Sequence, residues 1–436
     1  MYVVGSAWVG TAAKVGQSHI VFWILAILLF YLPQAAVVIY LNRLMPLEGG
    51  LYQWASAGLG RFLGFLVGWN LWAYTVMILA TFAIVVAANL SYLLGPSGAW
   101  LTRESWYTIG VTVILLTGVT VVSLLGLRTG KWFQNIGGVA QILTFAGLLV
   151  APLIALHRGS INHYHPFDTA LPTFSAVNLN IFGKLALGAL SGFEYVAILA
   201  GECRDPARSI GRSVMLASPV IAGMFILGTS SVLAIVPADQ IDLVSPIPQT
   251  LNLAFQGLGV ARFIAPMLIL LLLLRQIGNL TLIFAGNTRL PMVAGWDGLL
   301  PDWFTRLDPR FRTPRNSILF VGALALGLSL AGQVGVGIQE AFQLLDNAAG
   351  ILYAFAYLAL FAIPLAASKR LGAPVPVWLK ATAVAGFAVT LLYSILSIFP
   401  IIDVASWQIF AAKILAVLIG ANVVGLAIYA LGRRSS

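Results

Sequence analysis

The sequence predicts an all-α integral membrane protein, and three features of the chain lead there. Of its 436 residues 60% are hydrophobic and 9% are charged, and the mean hydropathy is +0.95, a balance that a water-soluble core does not absorb. The apolar residues gather in runs of about 20, the length a helix needs to cross the hydrocarbon layer. The basic residues are divided unequally between the loops on alternate sides of those runs.

Reading the apolar runs against breaks at Pro, Gly and charge gives eleven full spans and a short one that comes first, at residues 1–15. The others fall at 19–41, 62–88, 106–125, 133–156, 177–200, 214–236, 263–286, 318–333, 341–366, 378–400 and 407–431. They are numbered as spans 1 to 12 in chain order.

Loop charge sets the orientation. Of 24 Lys and Arg residues, seventeen lie on one side, among them Arg43, Arg61, Arg204, Arg208, Arg212 and Arg310. The other side carries only Lys14, Arg103, Arg158 and Arg262, while Lys184, Arg275 and Lys413 fall inside spans. The acidic residues split six to six, with Glu194 and Asp346 inside spans. A cationic bias without an acidic one is the positive-inside pattern, so the chain is expected in the cytoplasmic (inner) membrane with its C-terminus inside.

The net charge of +10 then reflects orientation in the bilayer, and nucleic acid is not an expected partner. A single cysteine, Cys203, leaves no internal disulfide. The N-terminus lacks the basic n-region and cleavage site of a signal peptide, so the spans themselves direct insertion. Intramembrane hydrolysis needs paired aspartates, an HExxH helix or a Ser with a His inside the bilayer. None is present: the four histidines fall at or beyond the ends of the apolar runs, with His19 at the first position of span 2. The chain is therefore not expected to be an enzyme or to hold a cofactor or metal. His157, His163 and His165 share a spacing that can hold a metal, with a solvated loop as the plainer account.

The most informative stretch is residues 187–213, LGALSGFEYVAILAGECRDPARSIGRS. It places Glu194 about eight residues from the first loop charge, roughly 12 Å deep at helical rise. An ionised carboxylate there costs at least about 3 kcal/mol, so Glu194 must be paired, protonated or facing a watery cavity. Each option points to passage of a solute.

Three further segments carry a resemblance. PLEGGLYQWASAGLGRFLGFLVGW (46–69), GFE with GECRDPARSI (192–210), and TRLPMVAGWDGLLPDWFTRLDPRFRTP (288–314) resemble, in order and at cytoplasmic loops, the amino acid/polyamine/organocation (APC) permeases. That resemblance implies a twelve-helix, leucine-transporter-like fold with a 5+5 inverted repeat. Spans 1 and 6 would be discontinuous at mid-membrane. The transport core would occupy residues 1–366, with repeats at roughly 1–157 and 176–366, and 367–436 would hold two trailing spans and a short cytoplasmic tail.

The sequence supports the breaks locally. Gly5, Ser6 and Gly10 punctuate span 1, and Gly188, Ser191 and Gly192 punctuate span 6. Glycine inside a helix costs about 1 kcal/mol relative to alanine. A break also frees peptide groups that lipid cannot satisfy and a zwitterion can. Close helix packing is the plain alternative for any one glycine.

By resemblance, Gly5, Ser6 and Ala7 would offer amides to a substrate carboxylate, with Ala189, Ser191, Gly192 and Phe193 on the opposite wall. Asn70, polar within the aromatic cluster Trp69, Trp72 and Tyr74, would face the interior. Glu194, Arg275 and Asp346 are the candidates for gating or proton coupling. Arg275 either neutralises Glu194, which suits neutral amino acids, or meets an acidic group on the substrate. Asp346 either binds a cation or proton or faces water at the outer end of span 10. Lys184 and Lys413 are expected to snorkel to their outer interfaces.

The chain departs from its relatives in two places. Span 1 reads GSAWVG where GSGI is usual, so Trp8 adds bulk near the pocket, and only four residues precede Gly5. Helix 1 is thus expected to be N-terminally truncated in this sequence, with a misassigned start as the favoured reading. In span 5, Gln141 occupies the place where proton-driven relatives carry a lysine, which leaves exchange, uniport or coupling through Glu194. The expected function is a secondary transporter moving amino acids or related amines by alternating access. The alternatives are an ion channel or exchanger pore, or a non-transporting amino-acid sensor. Expected partners are the small-molecule substrate, the lipid bilayer and, as a candidate co-substrate, protons; the sequence leaves oligomeric state open.

Overall fold

The computed structural model describes residues 7–45, 50–125, 130–193, 206–257, 259–293, 299–300, 302–311, 313–366 and 374–435. Among these residues the regular structure is helical throughout, with no strand. Ten helices are long and apolar enough to cross a membrane: Gly16–Leu44, Arg61–Gly95, Ser105–Leu124, Ile136–His157, Leu216–Ile235, Ile264–Thr288, Arg315–Gln333, Ile338–Ala366, Val377–Leu396 and Trp407–Gly432. They correspond to spans 2–5 and 7–12. Spans 1 and 6, the two expected to be broken, are the ones that do not reach spanning length among the described residues.

Span 1 is described only as the seven-residue helix Ala7–Ala13. Gly5, Ser6 and the residues bearing on the truncation lie outside the described residues. Span 6 starts at Ser175, whose hydroxyl accepts from the Asn178 amide at 3.1 Å as an N-cap. It runs as α-helix over Ala176–Gly183 and widens into a π-helical turn over Lys184–Ala189. Helical structure then stops at Ser191 and Gly192. Gly192 has φ +116°, a backbone setting that side-chain-bearing residues resist. Glu194 lies just past this break, outside the described residues.

A second π-helical turn, Ile27–Tyr31, lies in span 2. Pro33 follows it and has no N–H to donate to the carbonyl four residues back, so the helix widens locally. The connection to span 3 forms a short helix, Leu51–Leu59, ended by Gly60 at φ +102°.

Span 10 is the axis of the bundle. Its side chains are buried along most of its length, including Tyr353, Tyr357, Leu360 and Phe361. Trp23, Trp54, Tyr393 and Phe30 fill the remaining centre. Span 12 lies at the edge, with Ile409, Ile419, Val423 and Leu431 exposed as a lipid-facing surface requires.

Candidate functional site

The interrupted end of span 6 is held by aromatic side chains from two other spans. The freed amide of Gly192 donates to the Tyr357 hydroxyl of span 10 at 2.8 Å. The Phe193 ring meets that of Tyr31 on span 2, with centroids 4.8 Å apart. The Tyr31 hydroxyl in turn lies 2.7 Å from that of Ser218 on span 7. Tyr357 packs edge-on against Tyr353 at 4.9 Å, and Tyr353 stacks on Tyr74 of span 3 at 4.2 Å and 3°. An aromatic wall from spans 2, 3 and 10 thus surrounds the break.

Spans 1 and 6 meet just outside the break. The Trp8 indole lies against Gly188, where a β-carbon would come within 2.7 Å of Trp8 Cζ2. Ala7 is half-buried at the start of this helix, and Ala189 is buried beside Gly188. Ala189, Ser191, Gly192 and Phe193 are therefore brought together with Ala7 and Trp8 near one level of the bundle.

Above this level, on the side with few basic loop residues, a cleft of about 1000 Å³ opens. Lys14, Arg103, Val177, Glu340 and Asp403 line it, as does Asp242. The Asp242 carboxylate accepts from the Tyr92 hydroxyl at 2.8 Å and from the amides of Val244 and Ser245 at 2.9 and 3.2 Å. Burial pushes this carboxyl above the usual carboxylate range, and the three hydrogen bonds partly oppose the shift.

Several expected positions are corrected. Lys184 does not snorkel: it is 2% exposed and donates to the Asn347 side chain of span 10. The neighbouring Asp346 does not face open water: it is 9% exposed. The reason is register, since both residues turn toward the interior where spans 6 and 10 pack. Asn70 is committed to span 12, where its amide donates to Asn422 Oδ1 at 2.9 Å and to the Leu66 carbonyl at 2.9 Å. His19, placed at the end of an apolar run by sequence, is buried in the first turn of span 2, with Nε2 3.3 Å from the Ser230 hydroxyl.

Arg275 is 4% exposed within span 8, beside Gln276, which accepts from Asn89 of span 3 at 2.9 Å. Its relation to Glu194 falls outside the described residues. Lys413 is exposed. His157, His163 and His165 are all exposed, and the last two rings are 6.0 Å apart.

Tyr357, Lys184 and Asn347 were not among the expected site residues. A signal existed: Asp346, Asn347, Gly350, Tyr353 and Tyr357 recur at helical spacing within an otherwise apolar span.

Comparison with known proteins agrees with this architecture. The model of the family described as "Amino acid permease" matches residues 1–421. An uncharacterized transporter of Legionella pneumophila is 26% identical over 353 residues, 80% of this chain and 75% of that protein. The "Probable agmatine/putrescine antiporter AguD" of Lactococcus lactis is 24% identical over 72% of this chain and 65% of its own length. Among solved structures, MhsT in complex with L-phenylalanine superposes with a TM-score of 0.60 at 12% identity, covering 91% of this chain and 94% of that one. The interrupted span 6, the bundle around span 10 and the family match over nearly the whole length make this chain a multi-pass membrane transporter of leucine-transporter-like fold, and a member of the amino acid permease family.

Proposed function

We propose that the protein is a secondary transporter that moves amino acids or related amines across the cytoplasmic membrane by alternating access. The observation that carries this reading is the break at Ser191–Gly192. It leaves an amide at the centre of the bundle, satisfied by the Tyr357 hydroxyl, where a solute carboxylate can replace that hydroxyl at little cost. The aromatic wall of Tyr31, Tyr74, Tyr353 and Tyr357 can receive the solute's apolar part or an ammonium by cation–π contact. The cleft above it is an approach from the side whose loops carry few basic residues.

In this proposal Gly5, Ser6 and Ala7 complete the carboxylate site, and Glu194 and Arg275 set the charge on the inner side of the pocket. Residues 1–366 form the transport core, with inverted repeats at roughly 1–157 and 176–366, and 367–436 add two supporting spans and a cytoplasmic tail. The agmatine/putrescine name of one relative makes amines part of the panel to be tried. The test is reconstitution into liposomes with labelled amino acids and amines, with and without a pH gradient. Saturable, stereoselective counterflow of at least one is expected; inorganic ion flow without any counterflow would establish a channel in its place.

A further inference from the structure

We propose that Gln34 of span 2 recognises the head group of an α-amino acid at the break in span 6, its carboxamide oxygen taking the ammonium and its carboxamide nitrogen the carboxylate. This rests on the transport reading above and narrows the substrate class to solutes that carry both charges.

Gln34 is 0% exposed, and neither its Oε1 nor its Nε2 has a hydrogen-bond partner among the described residues. A carboxamide inside a bilayer protein loses its bonds to water, and lipid offers none in return. The buried Val37, Val38 and Leu41 that follow it on span 2 offer none from their side chains either. An apolar residue of the same size would be better accommodated here, so the amide is an unmet recognition group at a position where stability alone favours its replacement.

Depth and register bring Gln34 to the break. Spans 2 and 6 both begin on the side of the cleft, which Lys14 and Val177 line. Gln34 lies about 22 Å along span 2 from His19, and Gly192 about 24 Å along span 6 from Ala176, at helical rise. Phe30 and Tyr31 precede Gln34 by one helical turn and share its face. The Phe30 ring packs 5.6 Å from that of Tyr357, whose hydroxyl holds the Gly192 amide. The Tyr31 ring meets that of Phe193 at 4.8 Å. Side chains of a helix lean toward its N-terminus, so Gln34 leans toward the turn that carries these two rings.

The chemistry of the amide selects the ligand. An ammonium has three donors and a carboxylate about four acceptor positions. The Gly192 amide offers the carboxylate one donor, and the aromatic faces offer the ammonium a cation–π contact. Gln34 adds what is lacking on each side, an acceptor through Oε1 and a second donor through Nε2. A solute with both groups on one carbon satisfies both atoms at once. An amine without a carboxylate leaves Nε2 unpaired, and a carboxylate without an amine leaves Oε1 unpaired, so each truncated solute meets a buried polar atom that it cannot satisfy.

The test uses the full-length wild type and Q34M, which keeps the reach of the side chain and removes both polar atoms, with Q34L as a second apolar variant. In detergent without ligand, at least one of the two should melt as high as the wild type or higher. A lower midpoint in both would show that the amide has a structural partner and overturn the proposal. Affinities are then read from ligand-dependent thermal midpoints for L-phenylalanine, for phenethylamine, which lacks the carboxylate, and for hydrocinnamate, which lacks the ammonium. L-arginine and agmatine, its decarboxylated form, provide a second series.

For at least one parent amino acid, the wild type should bind the parent about tenfold or more tightly than its truncated forms. The apolar variant should weaken the parent by about tenfold and leave the truncated forms within about threefold. Equal affinity for parent and truncated forms in the wild type, an unweakened parent in the variant, or no midpoint shift with any of the five compounds overturns the proposal. The expected binding pattern without counterflow in proteoliposomes would count against the transport reading and leave recognition by Gln34 standing. Counterflow of an amino acid at an unchanged KM in the variant would do the reverse.

Discussion

The Trp8 indole rests on the bare α-carbon of Gly188, so close that a β-carbon there would come within 2.7 Å of the ring atom Cζ2. This contact joins the outer halves of spans 1 and 6 just above the break, at the level where the solute is proposed to sit. The missing side chain on one helix makes room for the largest side chain on the other.

Substituting Gly188→Ala should therefore push Trp8 out of place. Overpacking of this kind typically costs about 1–3 kcal/mol, and the expected consequence is a loss of transport rate with correct membrane insertion. Trp8→Ala, which empties the same space, should admit bulkier substrates than the wild type. A competition assay with amino acids of graded size checks both, and an unaltered size preference in W8A would exclude Trp8 from the pocket wall.

Tyr357→Phe leaves the Gly192 amide without its acceptor. In the empty transporter this should lower stability by about 1–3 kcal/mol, the cost of an unsatisfied buried donor. Saturating substrate should narrow the gap, because the carboxylate then takes the amide in both proteins. Thermal midpoints with and without substrate test this. A gap that persists at saturation would mean that no ligand group reaches Gly192.

Asp242 ties the outer loop before the helix Pro246–Phe255 to Tyr92. Burial raises its carboxyl in the folded protein above the unfolded value, so the folded loop favours the neutral acid. The resulting stability is fully present below the ordinary carboxylate range and is lost as pH rises through the raised value. Asp242→Asn, which stays neutral, should escape that loss. Melting curves of the two proteins across this window should diverge as pH increases, and parallel curves would refute the assignment.

Glu194→Gln should alter the pH dependence of transport more than the apparent affinity, as expected of a carboxylate that exchanges a proton without touching the solute. Transport kinetics at several pH values decide it; an unchanged profile removes Glu194 from coupling.

Asn70 and Asn422 exchange hydrogen bonds between spans 3 and 12. Replacing either by Leu should strand the other, while the double replacement should recover part of the loss. Interhelical hydrogen bonds of this kind are worth roughly 0.6–2 kcal/mol in membranes. A double-mutant cycle on stability with no coupling between the two would contradict the pairing.

Much of this architecture is legible along the chain because hydropathy, loop charge and glycine spacing are local properties. Ten apolar runs mature into ten helices of spanning length, and the run bearing Gly188, Ser191 and Gly192 does stop at the residues where glycine relaxes the backbone. The partners of the polar side chains are another matter. Lys184 and its partner Asn347 are 163 positions apart, and Lys184 alone reads as a charge near a membrane surface. Asn70 reads as a pocket residue until span 12 arrives to claim it.

Membrane residence and the position of the interruption in span 6 follow from one-dimensional patterning, since the bilayer tests each segment for apolar length before any neighbour is present. Which amide takes the buried Lys184 ammonium, which hydroxyl takes the freed amide, and which indole fills the space over a glycine emerge only when spans 1, 6 and 10 pack together. Those choices depend on helix rotation and depth, and these are set by neighbouring surfaces and carried by no single stretch of chain.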